Sequence, residues 1–332
     1  MRISLLSALS LLIAIQASGG DAVPRDTSFT LHSAYRKIEK KYLYARPVSQ
    51  STPRGITKVS DVVYKHIDST QFGPRDLHLD IFRADTVTGF VPAVIMIHGG
   101  GWNSGDRSLQ YPLAAALGRR GYVAVPVEYR LTPEAAYPAG LHDIKAAVRW
   151  LHDHGTAYGI DTTRIALSGC SAGGQLAALA GITNGSERHE GPMGGDETPA
   201  NVSAVICIDG ITTFVSEYNI ADVYERREKH QGQLPVNALW LGGMPDEADE
   251  HWQEASAINW VTPASAPVCF INSDLPRYRD GRDEIRPLLH DAGVYTEVHS
   301  VGSPIHPFWL FYPWYSTTAI HAANFLDKIL KK

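Results

Sequence analysis

The sequence has few cysteines and lacks the usual metal-binding motifs. Three cysteines occur in 332 residues, Cys170, Cys207 and Cys269, each inside or beside an apolar run. An odd and sparse set does not form a disulfide framework, and we expect Cys207 and Cys269 to be small buried side chains. Because neither a Cys-x-x-Cys pair nor a His-Glu-x-x-His motif is present, we expect no metal and no cofactor.

The sequence also lacks a concentrated block of basic residues. The formal net charge is -5, and the basic stretch at residues 36–41 is short. A nucleic-acid-binding surface needs clustered Lys and Arg, so no nucleic-acid partner is expected. With 44% hydrophobic and 20% charged residues, the composition is that of a globular protein with a substantial core.

Long apolar runs are absent beyond the first twenty residues. Residues 1–20 combine Arg2, an apolar stretch over residues 3–15 and small residues, which predicts a secretory signal peptide. A membrane anchor is the alternative, but the stretch is shorter than the ~20 residues that a spanning helix needs. We therefore expect a secreted or periplasmic protein that has no membrane partner after signal removal.

The remaining chain divides into an arm and one larger domain. Residues 21–58 are polar and are predicted to form an N-terminal arm, whereas residues 59–332 alternate short apolar strands with amphipathic helices. Period-two patterns at residues 61–67 and 76–84 predict a hairpin at a sheet edge. Repeated strand and helix units predict an α/β fold with a mainly parallel twisted sheet and helices on both faces.

One insertion is too long for a bare loop. Residues 212–262 are predicted to form a small helical cap over the carboxyl ends of the strands. The sequence of this cap is strongly polar, which argues against long acyl chains as ligands.

The pentapeptide Gly169-Cys170-Ser171-Ala172-Gly173 lies between a predicted strand and a predicted helix. This is the setting of a nucleophile elbow, in which the serine occupies a strained turn and the glycines let neighbouring backbone pass closely. The alternative is a structural turn, because so short a motif also occurs by chance. The context favours Ser171 as a nucleophile.

A glycine run follows an early strand in "IHGGGW". Acyl transfer places negative charge on a carbonyl oxygen, and backbone N–H groups stabilise that charge. We predict Gly100 and Gly101 as donors of this oxyanion hole, with Ala172 as the third. His98 is expected to shape the loop, and Trp102 either lines the acyl pocket or packs in the core.

A general base is expected late in the chain, in the loop after the last strand. His306 lies there between two prolines that stiffen the loop, and an imidazole at this point can accept the Ser171 proton. Of the fourteen histidines, His299 in the preceding strand is the main rival.

The carboxylate that orients His306 is less well defined. Asp283 is ranked first, although it opens a predicted helix and can equally serve there as an N-terminal cap. Asp274 and Asp209, both at strand ends, are the alternatives.

Four segments together, "HGGGW", "EYRLTPEAAYPA", "GCSAGG" and the late "HPFW", resemble the secreted α/β-hydrolase esterases, which include hormone-sensitive-lipase-like and acetyl-xylan or feruloyl esterase-like enzymes. The resemblance covers roughly residues 60–330. "PRYRDGRDE" and "EVHSVGSPIHPFWLFYPW" are also similar to bacterial secreted hydrolases labelled pectin or xylan acetylesterases.

The resemblance implies an α/β-hydrolase fold with Ser171 as nucleophile, His306 as base, and Gly100, Gly101 and Ala172 as oxyanion donors. The family's acid does not carry over onto one position of this sequence. Many relatives have Gly-Phe after the histidine, where this chain has Pro307-Phe308-Trp309. Trp309 is therefore predicted to stack on a sugar, with core packing as the alternative.

These features predict a serine carboxylic-ester hydrolase that acts on a polysaccharide or a small ester. Removal of acetyl groups from xylan or pectin is the favoured reaction. The alternatives are a feruloyl or pectin methyl esterase, or a general small-molecule carboxylesterase. A non-catalytic binding module is disfavoured because the serine, the histidine and the glycines are all present.

Overall fold

The structure is a computed structural model that describes residue 23, residues 25–191 and residues 198–331. The predicted signal peptide at residues 1–20 lies outside the described residues. Within the predicted arm, helix α1 spans Leu31–Ile38 and is capped by Thr30, whose side chain accepts a hydrogen bond from the Ser33 N–H. Strand β1, Arg46–Pro47, pairs with β10, Phe311–Tyr312, in a separate two-stranded sheet.

Eight strands form the main sheet. They are β2 (Ile56–Ile67), β3 (Arg75–Ala84), β4 (Val91–Ile97), β5 (Val123–Val127), β6 (Ile160–Cys170), β7 (Ala204–Ile208), β8 (Val268–Asn272) and β9 (Thr296–Ser300). Their order in the sheet is β2-β3-β5-β4-β6-β7-β8-β9. The predicted edge hairpin is confirmed, because β2 and β3 pair antiparallel. Strands β3 and β5 also pair antiparallel, and the pairs from β5 to β9 are all parallel.

Helices cover both faces of this sheet. Besides α1, they are α2 (Tyr111–Arg119), α3 (Ala139–His154), α4 (Ala172–Ile182), α5 (Glu187–Glu190), α6 (Glu217–Lys229), α7 (Val236–Leu241), α8 (Asp249–Glu254), α9 (Arg282–Asp291) and α10 (Trp314–Leu330). None of the helices in the described ranges is long and apolar enough to cross a membrane.

Strand β4 shows why both faces of the sheet need cover, since its side chains alternate between two cores. Ile95 joins the core that contains residues of α3 and α4, and Met96 joins the core that contains residues of α2 and α10. A strand that is apolar at successive positions is therefore buried on both sides.

The predicted cap segment contains α6, α7 and α8. Although its sequence is polar, it buries Trp240 and Trp252 completely. The Trp240 ring stacks on Trp102 at a centroid distance of 4.8 Å, and Phe214 lies against Trp240 and Trp252. An aromatic cluster therefore fastens the cap to the loop that follows β4.

The parallel strands all end at one edge of the sheet. The loops after β4, β6, β7, β8 and β9 meet at this carboxyl edge. Ligand sites of open α/β sheets lie at such an edge, and here it carries the candidate site.

Candidate active site

Ser171 lies in the sharp turn between β6 and α4. Its backbone has φ 56° and ψ -121°, a conformation that is strained for a residue with a side chain. Its N–H donates to the carbonyl of Ile208 at 2.8 Å, which ties the turn to the end of β7. The predicted strand, turn and helix are therefore present, and the turn presents the Ser171 hydroxyl at the carboxyl edge of the sheet.

Glycine is required at position 173 because backbone passes very close to it. A Cβ there would overlap the carbonyl oxygens of Ile97 and His98. The first turn of α4 therefore sits directly against the end of β4, where the glycine run begins.

His306 faces Ser171 from the loop after β9. Its Nε2 lies 2.7 Å from Ser171 Oγ, and its Nδ1 lies 3.0 Å from an Asp209 carboxylate oxygen. The imidazole is 18% exposed and the Asp209 carboxylate is fully buried. With Nδ1–H donating to Asp209, Nε2 is free to accept the serine proton.

The carboxylate beside His306 is thus Asp209, which corrects the ranking of Asp283 first. Asp209 follows β7 in a left-handed conformation, with φ 45°. Its second carboxylate oxygen accepts from the Ser273 N–H at 2.8 Å and from Asn272 Nδ2 at 3.4 Å. Strand β7 is adjacent to β6, and the histidine loop after β9 crosses the end of β8 to meet Asp209 at the end of β7.

Asp283 and Asp274 lie elsewhere. Asp283 is 58% exposed in the first turn of α9 and binds the Arg282 guanidinium through two hydrogen bonds, 2.9 and 2.8 Å long. Asp274 is exposed, and its carboxylate accepts from the Ser300 hydroxyl at 3.3 Å. Neither carboxylate contacts His306.

Arg282 connects this region to Asp209 through Asn272. Arg282 Nη1 donates to Asn272 Oδ1 at 3.0 Å, which leaves the Asn272 amide N–H groups facing Asp209. Both Arg282 and Asn272 are buried. The role of these two residues depends on contacts between β7, β8 and α9, which the sequence alone does not show.

The rival histidine, His299, is outside the site. It lies in β9, its Nε2 is 3.0 Å from Glu297, and its ring stacks on His321 at 4.0 Å.

The predicted oxyanion donors surround Ser171. Gly100, Gly101 and Ala172 line the same cavity as Ser171 and His306. Gly100 has φ 131°, and a Cβ there would overlap the carbonyl oxygen of Ser104, so only glycine fits. Within the described chain, the N–H groups of Gly100, Gly101 and Ala172 donate to no other residue, and they are thus available to a ligand oxygen.

His98 lies against this loop. Its Nδ1 donates to the Gly99 carbonyl at 2.8 Å, and its ring stacks on Tyr129 at 4.6 Å. Burial lowers the pKa of His98 to about 4, and the opposing hydrogen bond to Gly99 does not offset this effect. The imidazole is therefore neutral at physiological pH.

Trp102 both lines the cavity and packs in the core. Its indole N–H donates to Gln175 Oε1 at 3.1 Å, and Gln175 Nε2 donates to the Ala255 carbonyl at the end of α8. Gln175 therefore links the oxyanion loop to the cap. The sequence does not reveal this role, since a glutamine in the first turns of a helix carries no distinctive signal.

Trp309 does not line the cavity, which corrects its assignment as a substrate-binding residue. It is buried, and its ring meets His306 edge-on at 5.1 Å from the side of the core. Tyr278 does line the cavity, and its ring stacks on His306 at a centroid distance of 3.4 Å. The two rings hold the imidazole from two directions.

The cavity has a volume of about 430 Å³, which is within the range of small-molecule sites. Its wall combines apolar and polar side chains, among them Trp102, Ile211, Val236, Asn103, Asn219 and Asn237. Such a volume suits a short acyl group together with part of a polar alcohol.

Potential metal ligands lie away from this cavity. Among the described residues, Cys269, Glu297 and His299 come within 4.8 Å of one another on β8 and β9. Glu297 is already bound to Lys328 and Tyr295. All three cysteines are free and buried, as expected for Cys207 and Cys269.

Comparison with known proteins places the chain in a family. The family profile BD-FAE matches residues 79–276, more than half of the chain. Among solved structures, a truncated carbohydrate esterase from gut microbiota shares the fold, with a TM-score of 0.67 and 22% identity. The match covers 86% of this chain and 100% of that one.

Curated relatives are esterases by name. The versiconal hemiacetal acetate esterase of Dothistroma septosporum is 32% identical to this chain, and the match covers 80% of each chain. The probable carboxylic ester hydrolase LipM of Mycobacterium tuberculosis is 29% identical over 71% of this chain. This match spans only 55% of the length of LipM.

The sheet order and the structural neighbour define an α/β-hydrolase fold, which confirms the predicted fold class. The chain belongs to the BD-FAE family, within the α/β-hydrolase esterases.

Proposed function

We propose that this chain is a serine carboxylic-ester hydrolase. The proposal rests on one observation: His306 lies 2.7 Å from Ser171 Oγ and 3.0 Å from the buried Asp209 carboxylate. This arrangement activates a hydroxyl at neutral pH. The names of the curated relatives support the same class of reaction.

The geometry suits a two-step acyl transfer. Ser171 Oγ attacks the ester carbonyl carbon and passes its proton to His306 Nε2, while the N–H groups of Gly100, Gly101 and Ala172 bind the oxyanion. The bond to the alcohol oxygen then breaks, and His306 returns the proton to the leaving alcohol. A water molecule attacks the acyl-enzyme in the reverse sequence, which releases the acid and regenerates Ser171.

The preferred substrate in this proposal is an acetylated plant polysaccharide, xylan or pectin. The small cavity and the polar cap support a short acyl group. The relative named as an acetate esterase points in the same direction. A secreted or periplasmic location, proposed from residues 1–20, gives the enzyme access to a polymer.

Replacement of Ser171 tests the reaction class. We expect Ser171→Ala to reduce p-nitrophenyl acetate hydrolysis by at least about 1000-fold, because the covalent route is lost. The melting temperature of the variant shows whether it is folded. Undiminished hydrolysis would contradict the proposal.

A substrate panel tests which kind of ester the enzyme hydrolyses. The purified protein is incubated with acetylated xylan, acetylated pectin, methylated pectin and feruloylated arabinoxylan, and the released acid or alcohol is identified. We expect acetate. Methanol or ferulate without acetate would support the alternative esterases.

A further inference from the structure

The cavity that contains Ser171 has basic residues along one side. Arg226 of α6 and Arg277 of the turn after β8 both line it. The two guanidinium groups are neighbours, because both approach the same oxygen of Asp222, Arg226 at 2.8 Å and Arg277 at 3.8 Å. Lys37 of α1 also lines the cavity and is exposed.

Asp222 does not neutralise both arginines. It carries one negative charge, and its distance to Arg277 is too long for a hydrogen bond. Within the described chain, Arg277 donates no hydrogen bond, and its side chain is 37% exposed. The pair of arginines thus retains positive charge and free donors.

The two acids that line the cavity, Asp26 and Asp209, have other partners. Asp209 is bound to His306, and Asp26 is exposed and accepts a hydrogen bond from the Ser28 N–H. Among the described residues, neither acid forms an ion pair with Arg226 or Arg277. The positive charge therefore remains available to a ligand.

Arg277 lies close to the imidazole that protonates the leaving alcohol. The Arg277 guanidinium is 5.5 Å from the centre of the Tyr278 ring, and that ring stacks on His306. His306 gives its proton to the leaving alcohol, so the alcohol oxygen lies next to this imidazole during catalysis. A substituent on the alcohol can therefore reach Tyr278 and Arg277 from a position beside His306.

We propose that Arg226 and Arg277 form a subsite for a carboxylate on the alcohol part of the ester, as in an O-acetylated uronic acid. This inference rests on the proposed esterase function and refines its substrate class. A guanidinium group presents two parallel donors that match a carboxylate, and the long contact to Asp222 leaves those of Arg277 open. Among the candidate polymers, the subsite favours pectin, whose main sugar is a uronic acid, over neutral xylan.

The test compares an acidic and a neutral substrate of equal length. We measure kcat/KM for acetylated oligogalacturonate and acetylated xylo-oligosaccharide with wild type, Arg226→Gln and Arg277→Gln. We expect wild type to prefer the acidic substrate. Arg277→Gln should reduce the acidic-to-neutral ratio by about tenfold, mainly through KM, since a charge-assisted contact is lost. Arg226→Gln should shift the ratio in the same direction.

Arg227→Gln is the matched control. Arg227 is adjacent to Arg226 on α6, but it pairs with Glu247 at 3.8 Å and does not line this cavity. Its replacement removes the same charge from the same helix and should leave the ratio unchanged.

The outcomes separate this inference from the proposed function. A wild-type enzyme that hydrolyses both substrates with equal efficiency, or an Arg277→Gln ratio equal to that of wild type, would overturn the subsite. An equal loss on both substrates would assign the arginines a structural role and also overturn it. Failure of wild type to hydrolyse p-nitrophenyl acetate would instead contradict the esterase proposal itself.

Discussion

At the level of single residues, Asp209 is positioned by contacts between distant parts of the chain. Ser171 and its glycines form a local motif, and His306 is marked by its position after the last strand. Asp209, in contrast, is 97 residues from His306 along the chain. Its carboxylate is aimed by a left-handed backbone and by donors from the end of β8, neither of which is visible in a sequence. Asp283, which the sequence ranks first, forms its contacts with Arg282.

Arg282 offers a test of how Asp209 is positioned. Without the Arg282 donor, the buried Asn272 Oδ1 loses its partner, and the Asn272 amide can rotate away from Asp209. We expect Arg282→Met to reduce kcat about three- to tenfold, the effect of one hydrogen bond, with little change in KM. Steady-state kinetics with p-nitrophenyl acetate measure both constants.

A second variant distinguishes positioning from a general loss of structure. In an Asn272→Leu background, Arg282→Met should cause no further decrease in kcat, because the connection is already broken. Independent decreases that multiply would show that Arg282 does not act through Asn272.

At the scale of elements, most of the fold could be predicted because its signals are local. The apolar run of β4, the period-two hairpin of β2 and β3, and the strand, turn and helix around Ser171 each depend on neighbouring residues. The roles of the aromatic side chains are not local. The sequence predicts Trp309 in the site and not Tyr278, and only tertiary packing puts Tyr278 in the cavity and Trp309 in the core.

Gly173 tests the contact between two elements. A Cβ at this position would overlap the Ile97 and His98 carbonyl oxygens, which are backbone atoms and cannot move aside alone. We expect Gly173→Ala to lower the free energy of unfolding by about 1–3 kcal/mol, as in overpacked cores, and to reduce kcat by shifting Ser171 from the oxyanion loop. Urea denaturation and esterase assays measure the two effects.

Gly118→Ala is the matched control for this variant. Gly118 is also helical, but the nearest atom to a Cβ there is the flexible end of Ile56, at 3.3 Å. The substitution should leave the stability within about 1 kcal/mol of wild type. Equal destabilisation by the two substitutions would contradict the proposed contact between α4 and β4.

At the scale of the whole molecule, buried titratable groups make stability depend on pH. Burial alone would raise the pKa of Glu128, but Arg25 and Arg75 outweigh burial and lower its pKa to about 2. Because this folded-state pKa is depressed, the stabilisation from Glu128 is present above about pH 4.5 and is lost as the pH falls from that value towards 2. His98 affects the stability of the fold at higher pH than Glu128 does.

The depressed pKa of His98 predicts a loss of stability in weak acid. Below about pH 6.5 the unfolded chain binds a proton at His98, whereas the native protein does so only near pH 4, so stability decreases as pH falls between these values. We expect the decrease from about pH 7 to about pH 5 to be smaller by about 2 kcal/mol in His98→Gln than in wild type. Urea denaturation at both pH values measures this decrease in stability. Equal decreases in the two proteins would contradict the lowered pKa of His98.

We infer that His306 and Asp209 activate Ser171, and covalent labelling measures this activation. Wild type, Asp209→Asn and Asp283→Asn are treated with diethyl p-nitrophenyl phosphate, and the rate and site of labelling are followed by mass spectrometry. We predict a single label on Ser171, slowed about 100-fold or more by Asp209→Asn and changed less than about twofold by Asp283→Asn. Labelling at another residue, or a rate that depends on Asp283 and not on Asp209, would show that Asp209 and His306 do not activate Ser171.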